Sequence, residues 1–212
     1  MNRKPDVNTK EALLTAAIRV FADKGFDAAT VRDICSLAEA NVAAVNYHYG
    51  GKEALYAAVL EEVFPKEERE PGSDASLPPE ERLRIFLRDL AGEIYERGNE
   101  IIAQRWAIFL REMAKPSRNL DFLIRRQIQP LTDDLRAIVA EILGPDAPDS
   151  ALAMSSTNIW ALMLDHLLTQ PIQDRLTPSR PAPTDMDALV DHVTTFALGG
   201  LLAVKAKVAP RP

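Results

Sequence analysis

One cysteine, Cys35, stands among 212 residues, so no disulfide can form within the chain. A reducing compartment is the expected setting, with Cys35 a small buried residue rather than a redox sensor. Only three histidines are present and they are far apart, so no HExxH metal pair can form. A Gly-rich phosphate loop and a nucleophile elbow are also missing. These absences argue against an enzyme, and no catalytic residue, metal or cofactor is expected. The opening stretch MNRKPDVNTKEALL has no signal-peptide core, and no apolar run approaches ~18 residues. A soluble, cytoplasmic protein with no membrane partner is the expectation. Strand-like alternation and internal repeats are not evident either.

What is present is 47% apolar residues, enough for a real core in one large or two small domains. The net charge of −6 speaks at first against a nucleic-acid partner, but its distribution weakens that objection. Residues 1–53 hold seven Lys/Arg and seven Asp/Glu, so the remainder carries the whole excess, 18 basic against 24 acidic. A neutral head on an acidic body can bind DNA if its few cations converge on phosphates.

The chain is organised around 30–52, TVRDICSLAEANVAAVNYHYGGK. Thr30 is a good N-cap, with Asp33 three residues on as an acidic variant of the capping box. Ile34 and Leu37 give a short helix an inward face, and Glu39 and Ala40 form a turn. Asn41 caps a second short helix, Val42–Tyr49, in which Val45 and Tyr49 are spaced for burial. The remaining face carries Ala43, Ala44, Asn46, Tyr47 and His48. Small and hydrogen-bonding side chains of this kind suit a major groove, where methyl groups meet thymine methyls and amides read base edges.

This run resembles the helix-turn-helix of the TetR family of bacterial transcriptional regulators. VNYHYGGKEALY follows that family's pattern of aromatic, His, aromatic, Gly-containing turn, Lys, Glu and a hydrophobic pair. ANVAAVNYHYGGKEALY looks most like the CerR (CecR) branch, and REMAKPSRNLDFLIRRQIQPLTDDLRAIVAEILG resembles that branch's ligand-domain helices. One departure stands out: the family's usual turn Gly is Glu39 here, and a non-Gly side chain in a left-handed turn costs about 1 kcal/mol. The resemblance implies that Tyr47, His48 and Lys52 grip the DNA backbone while Ala43, Ala44 and Asn46 approach bases. Thr30 and Arg32 would anchor neighbouring phosphates, with Asn41 at the start of the reading helix. It further implies a homodimer on a palindromic operator, acting as a repressor released by a small molecule. Hydrophobic xenobiotics are the effector class it suggests.

Taken in order, a polar arm precedes a helix over Thr9–Lys24, which Gly25 stops. A further helix opens at Gly51 or Lys52 and runs to Phe64, and 65–80 breaks the pattern with four prolines and a charge run. The body reads as all-α: helices over Glu80–Arg97, Asn99–Ala114, Asn119–Gly144 with a kink or break at Pro130, Pro148–Gln170 and Asp185–Lys207. The expected organisation is therefore a helix-turn-helix head at 1–52, a connecting helix at 53–64, a loop at 65–80 and a helical effector-binding and dimerisation domain at 81–212.

Arg105 lies in the apolar stripe of its helix with Trp106 and Phe109, either paired to a carboxylate such as Asp165 or free to hold an anionic group on an effector. The helix from Pro148 is apolar almost all round, which suggests burial on two sides and makes Asn158, Trp160, Asp165 and His166 further pocket candidates. Trp106 and Trp160 are expected to share an interior space. On the last helix, Val190, Val193, Ala197, Leu201 and Val204 form the expected dimer seam. The alternatives are a dimeric DNA-binding regulator that answers to no ligand and, more remotely, a helical enzyme.

Overall fold

The computed structural model describes residues 7–65, 76–95, 100–169, 172, 175–176 and 186–208. All regular structure among them is helical: α1 (Val7–Ala28), α2 (Val31–Leu37), α3 (Val42–Tyr49), α4 (Lys52–Val63), α5 (Pro79–Tyr95), α6 (Glu100–Ala114), α7 (Leu120–Leu123), a π turn at Ile124–Ile128, α8 (Gln129–Leu143), α9 (Asp149–Leu168) and α10 (Met186–Val208). The chain divides into two compact units. One contains α1–α4 with α6, α7 and the π turn; the other contains α5, α8, α9 and α10. The helix following the proline-rich 65–80 stretch and the next helix, α6, thus belong to different units.

In the first unit, Leu13, Ala17 and Phe21 of α1 meet Ile34 of α2, Val45 of α3 and Leu55, Val59 and Leu60 of α4 in one buried core. Ile108 of α6 and Leu123 of α7 close it. Gly25 interrupts α1 with φ 75° and ψ 172°, a conformation costly for any residue with a Cβ. The carbonyls left open before that break are taken by Arg111 of α6, whose guanidinium donates to Ala22 O (2.9 Å) and Asp23 O. Phe21, Phe26 and Tyr56 pack as an aromatic cluster with centroid separations of 4.7–6.2 Å. Tyr56 Oη donates to Glu112 of α6 at 2.8 Å, so a buried hydrogen bond joins α4 to α6.

Of the kink or break expected at Pro130, the structure has a break: a π turn at Ile124–Ile128 followed by a new helix. Proline offers no N–H and its ring collides with the carbonyl four residues earlier. A widened turn just before it relieves both problems.

In the second unit, Leu83, Leu87, Leu90 and Ile94 of α5 pack with Leu135, Ile138, Val139 and Ile142 of α8, Ile159 and Met163 of α9, and Val190, Val193, Ala197 and Leu201 of α10. Fully burying one such aliphatic side chain contributes about 1.5–3 kcal/mol. Arg84–Asp191 and Arg88–Asp187 ion pairs flank the contact between α5 and α10. The expected dimer seam is corrected here, because Val190, Val193, Ala197 and Leu201 are covered by the chain's own helices and only Val204 is half-buried. The outward side of α10 instead carries Phe196 (64% exposed) and Leu202 (57%). With apolar residues on both faces, this 23-residue helix is long and apolar enough to cross a membrane by length and composition alone. Its inner stripe is packed against α5 and α8.

α9 departs from expectation in the same way. It buries Ile159 and Met163, while Met154 (68% exposed) and Leu168 lie open on its outer side. Asn158 and Asp165 are exposed too, so neither is the buried polar residue anticipated for a pocket.

Candidate nucleic-acid interface

The local chemistry of 30–52 builds a helix pair joined by a tight turn. Thr30 Oγ1 accepts from Asp33 N (3.1 Å) and donates to Asp33 Oδ2 (2.8 Å), and Thr30 N donates to the same carboxylate oxygen (3.0 Å). This capping box is complete, so the Thr30 hydroxyl anticipated as a phosphate anchor is already engaged. Lys24 adds an ion pair to Asp33 at 2.9 Å. The Lys24 ammonium, followed by the Thr30 hydrogen bonds, holds the Asp33 carboxyl down at about 2.

Between α2 and α3, Glu39 adopts φ 52° and is the one non-glycine residue with positive φ among the described residues. The turn therefore keeps its left-handed residue despite the glutamate, and Ala40 N donates back to Cys35 O at 2.9 Å to close it. Asn41 Oδ1 then accepts from Ala43 N at 2.9 Å and starts α3. Cys35 is buried with its thiol 3.6 Å from Asn41 O, and burial pushes that thiol's pKa up, which suits packing rather than thiolate chemistry. Gly50 (φ 83°) ends α3 in the left-handed conformation and Gly51 (φ 138°) turns the chain directly into α4.

One side of α3 holds it to the unit. Val45 is fully buried, and Tyr49 Oη donates to Lys10 O of α1 at 2.8 Å. The opposite side presents Val42, Ala43, Asn46 and Tyr47, the last 72% exposed. Positions 42, 43, 46 and 47 recur as one helical face. Val42, expected only as the start of the helix, joins this face, as its spacing to Asn46 requires. Ala44, by contrast, packs toward the core rather than outward.

Three basic candidates sit differently from one another. Arg32 is exposed on α2. His48 is half-buried, its ring edge-on to Tyr47 at 5.0 Å and its Nε2 enclosed without a hydrogen-bond partner. Lys52 is drawn inward, with its ammonium 4.6 Å from the Phe26 ring and 3.4 Å from Asp27 O. No side chain caps α4, so the N–H groups of its first turn are open to an acceptor beside the outward face of α3.

The remaining candidates are dispersed. Trp106 packs edge-on to Phe109 at 5.3 Å in the first unit, and Trp160 edge-on to Phe86 at 6.3 Å in the second. The side chain of His166 lies outside the described residues. Among the described residues, no group of three or more His, Cys, Asp or Glu could hold a metal ion.

Residues 13–59 match the bacterial regulatory proteins of the tetR family, and residues 79–201 match the C-terminal domain of the HTH-type transcriptional dual regulator CecR. The chain is 28% identical over 159 residues to CecR of Shigella flexneri, covering 68% of this chain and 69% of that protein. It is also 28% identical over 103 residues to the transcriptional repressor NicS of Pseudomonas putida, covering 49% of this chain and 42% of NicS. Among solved structures, the hemolysin II transcriptional regulator HlyIIR superposes with a TM-score of 0.64 at 21% identity, covering 89% of this chain and 96% of that one. With the capped helix pair in the head, an all-helical fold and a family match across more than half its length, the chain belongs to the TetR family of DNA-binding transcriptional regulators, in the branch that shares the CecR C-terminal domain.

Proposed function

We propose that the protein is a dimeric repressor that places one α3 helix from each subunit into successive major grooves of a palindromic operator, about 34–36 Å apart. The observation that carries this reading is the outward face Val42, Ala43, Asn46 and Tyr47, held rigidly from behind by Val45 and the Tyr49–Lys10 hydrogen bond. Asn46 reads a base edge, Val42 and Ala43 meet methyl groups, and Tyr47 lies along the backbone. The open first turn of α4, with Arg32 and His48, supplies phosphate contacts.

The second subunit covers α9 and α10. Met154, Ala161 and Leu168 on α9 and Phe196, Leu202 and Ala203 on α10 are all exposed in the single chain. Gly199 and Gly200 are also exposed, and a Cβ at either would meet nothing within 4 Å. The chain's own packing thus places no demand on glycine there, whereas close approach of a partner helix would. Two helices from each subunit complete a four-helix bundle.

Release by a small effector involves Arg105, Trp106 and Phe109 on α6. This helix lies in the same unit as the head and touches it through Arg111, Glu112 and Lys115. An effector can act only by binding the non-DNA arrangement more tightly, so the coupling is reciprocal. A mobility shift with DNA flanking the protein's own gene tests the reading. One discrete complex with two subunits per site supports it; equal retardation of any fragment contradicts it.

A further inference from the structure

Two guanidinium groups converge on Phe64, the residue that ends α4. Arg105 of α6 lies over the Phe64 ring, its carbon Cζ 5.9 Å from the centroid. Arg126 of the π turn donates from Nε to the Phe64 carbonyl at 3.2 Å and lies 5.7 Å from the Phe122 ring. Phe64 itself is buried. Arg126 therefore has a backbone acceptor, but Arg105 Nε is enclosed without a hydrogen-bond partner.

Arg19, Arg82, Arg84, Arg88 and Arg136 each meet a carboxylate within 4.0 Å. No carboxylate among the first unit's described residues pairs with Arg105 or Arg126. A buried N–H without an acceptor is costly, and so are two cations brought to one residue, unless an anion joins them. A planar guanidinium suits a carboxylate in particular, because its donors form a fork that matches two oxygens. The side chains nearby are aromatic: the Phe64 and Phe122 rings lie beneath the two guanidiniums, and half-buried Trp106 and Phe109 continue along α6.

We propose that Arg105 and Arg126 form the anion-binding end of an effector site, and that its ligand is a small amphipathic carboxylate whose apolar part lies against the rings of α6 and α7. The proposal rests on the effector-responsive reading above and specifies its chemistry. Its position has a consequence for regulation. The anion would sit at the C-terminal end of α4, whose N-terminal end adjoins α3.

Trp106 adjoins Arg105 and, with Trp160, is one of only two tryptophans, so a Trp160→Phe background makes Trp106 the reporter. Octanoate and benzoate are titrated against this variant, with 1-octanol and benzyl alcohol as neutral counterparts and sodium phosphate as a purely inorganic anion. Saturable fluorescence change and thermal stabilisation are expected from the carboxylates, and no saturable response from the alcohols or phosphate. Arg105→Gln should weaken carboxylate binding about tenfold or more, and Arg126→Gln should weaken it as well. Arg105→Lys keeps the charge and most of the stem, and it too should bind several-fold more weakly. It keeps the test open if Arg105→Gln fails to fold. An equal response to alcohol and carboxylate, no carboxylate response, or unchanged affinity in a folded Arg105 variant would overturn the proposal. These titrations contain no DNA, so their failure leaves the operator-binding reading standing.

Discussion

Tyr56 on α4 donates its hydroxyl to the buried carboxylate of Glu112 on α6 at 2.8 Å. Glu112 is only 3% exposed and also accepts from Ser117 N (3.0 Å) and Ser117 Oγ (2.9 Å) in the turn after α6. α4 is thereby tied to α6 and, through Glu112, to the turn that follows it. Burial, then the Glu112 carboxylate, drives the Tyr56 phenol far above its ordinary value, so Tyr56 remains a donor at any physiological pH.

Tyr56→Phe keeps the ring cluster with Phe21 and Phe26 and deletes only the donor. Glu112 then retains its two Ser117 bonds, so the expected loss is about 1.5–3 kcal/mol, the range for a hydrogen bond to a charged group. Urea unfolding measures it. A loss below about 0.5 kcal/mol would mean that the carboxylate is as well satisfied without the phenol.

Thr30→Ala removes the cap of α2 and should destabilise by about 1 kcal/mol. It should also raise the Asp33 pKa, which Lys24 first and Thr30 second hold down at about 2. Because the folded value lies below the unfolded one, Asp33 supports the fold above the ordinary value near 3.8 and loses that support as pH falls toward 2. Carboxyl NMR titration of wild type and Thr30→Ala reads the shift directly. Asp33 is only half-buried, so the effect on global stability should be small.

Glu39→Gly relieves a left-handed backbone at φ 52°. Strain relief exceeds the added freedom of the unfolded glycine, giving a net gain of about 0.5–1 kcal/mol. Denaturant unfolding checks it, and a loss of stability would show that the Glu39 side chain contributes more than the turn costs.

Phe196→Glu and Ala197→Glu separate the two faces of α10. Phe196 is exposed, so the first variant should fold but sediment as a monomer with much weakened operator binding. Ala197 is buried within its own unit, so the second should lose several kcal/mol and unfold or aggregate. A stable Phe196→Glu dimer would remove this face from the interface.

Much of the head was legible because its determinants are local. The Thr30 and Asn41 caps, the Gly25 stop, the turn at Glu39 and the inward Val45 each depend on residues within a few positions. The inward pull on Lys52 was not legible, because Phe26 and Asp27 lie 25 or more positions away and meet it only after folding. Periodicity located the apolar stripe of α10 correctly but could not say what covers it. A helix with one stripe for its own core and another facing outward reads as one long hydrophobic segment. The same ambiguity hid the exposure of Asn158 and Asp165 on α9. Arg105 was visible as a charge in an apolar stripe, whereas its convergence with Arg126 on Phe64 spans the packing of α4, α6 and the π turn.

Selection from a randomised DNA library, performed in parallel with wild type and Asn46→Ala, tests most directly whether α3 reads DNA sequence through Asn46. Wild type should enrich a palindrome with half-sites one helical turn apart. Asn46→Ala should lose discrimination by about 1–3 kcal/mol at one base pair in each half-site, while the rest of the palindrome persists. If both proteins enrich the same palindrome with the same preference at every position, Asn46 does not read bases and the proposed docking of α3 is wrong.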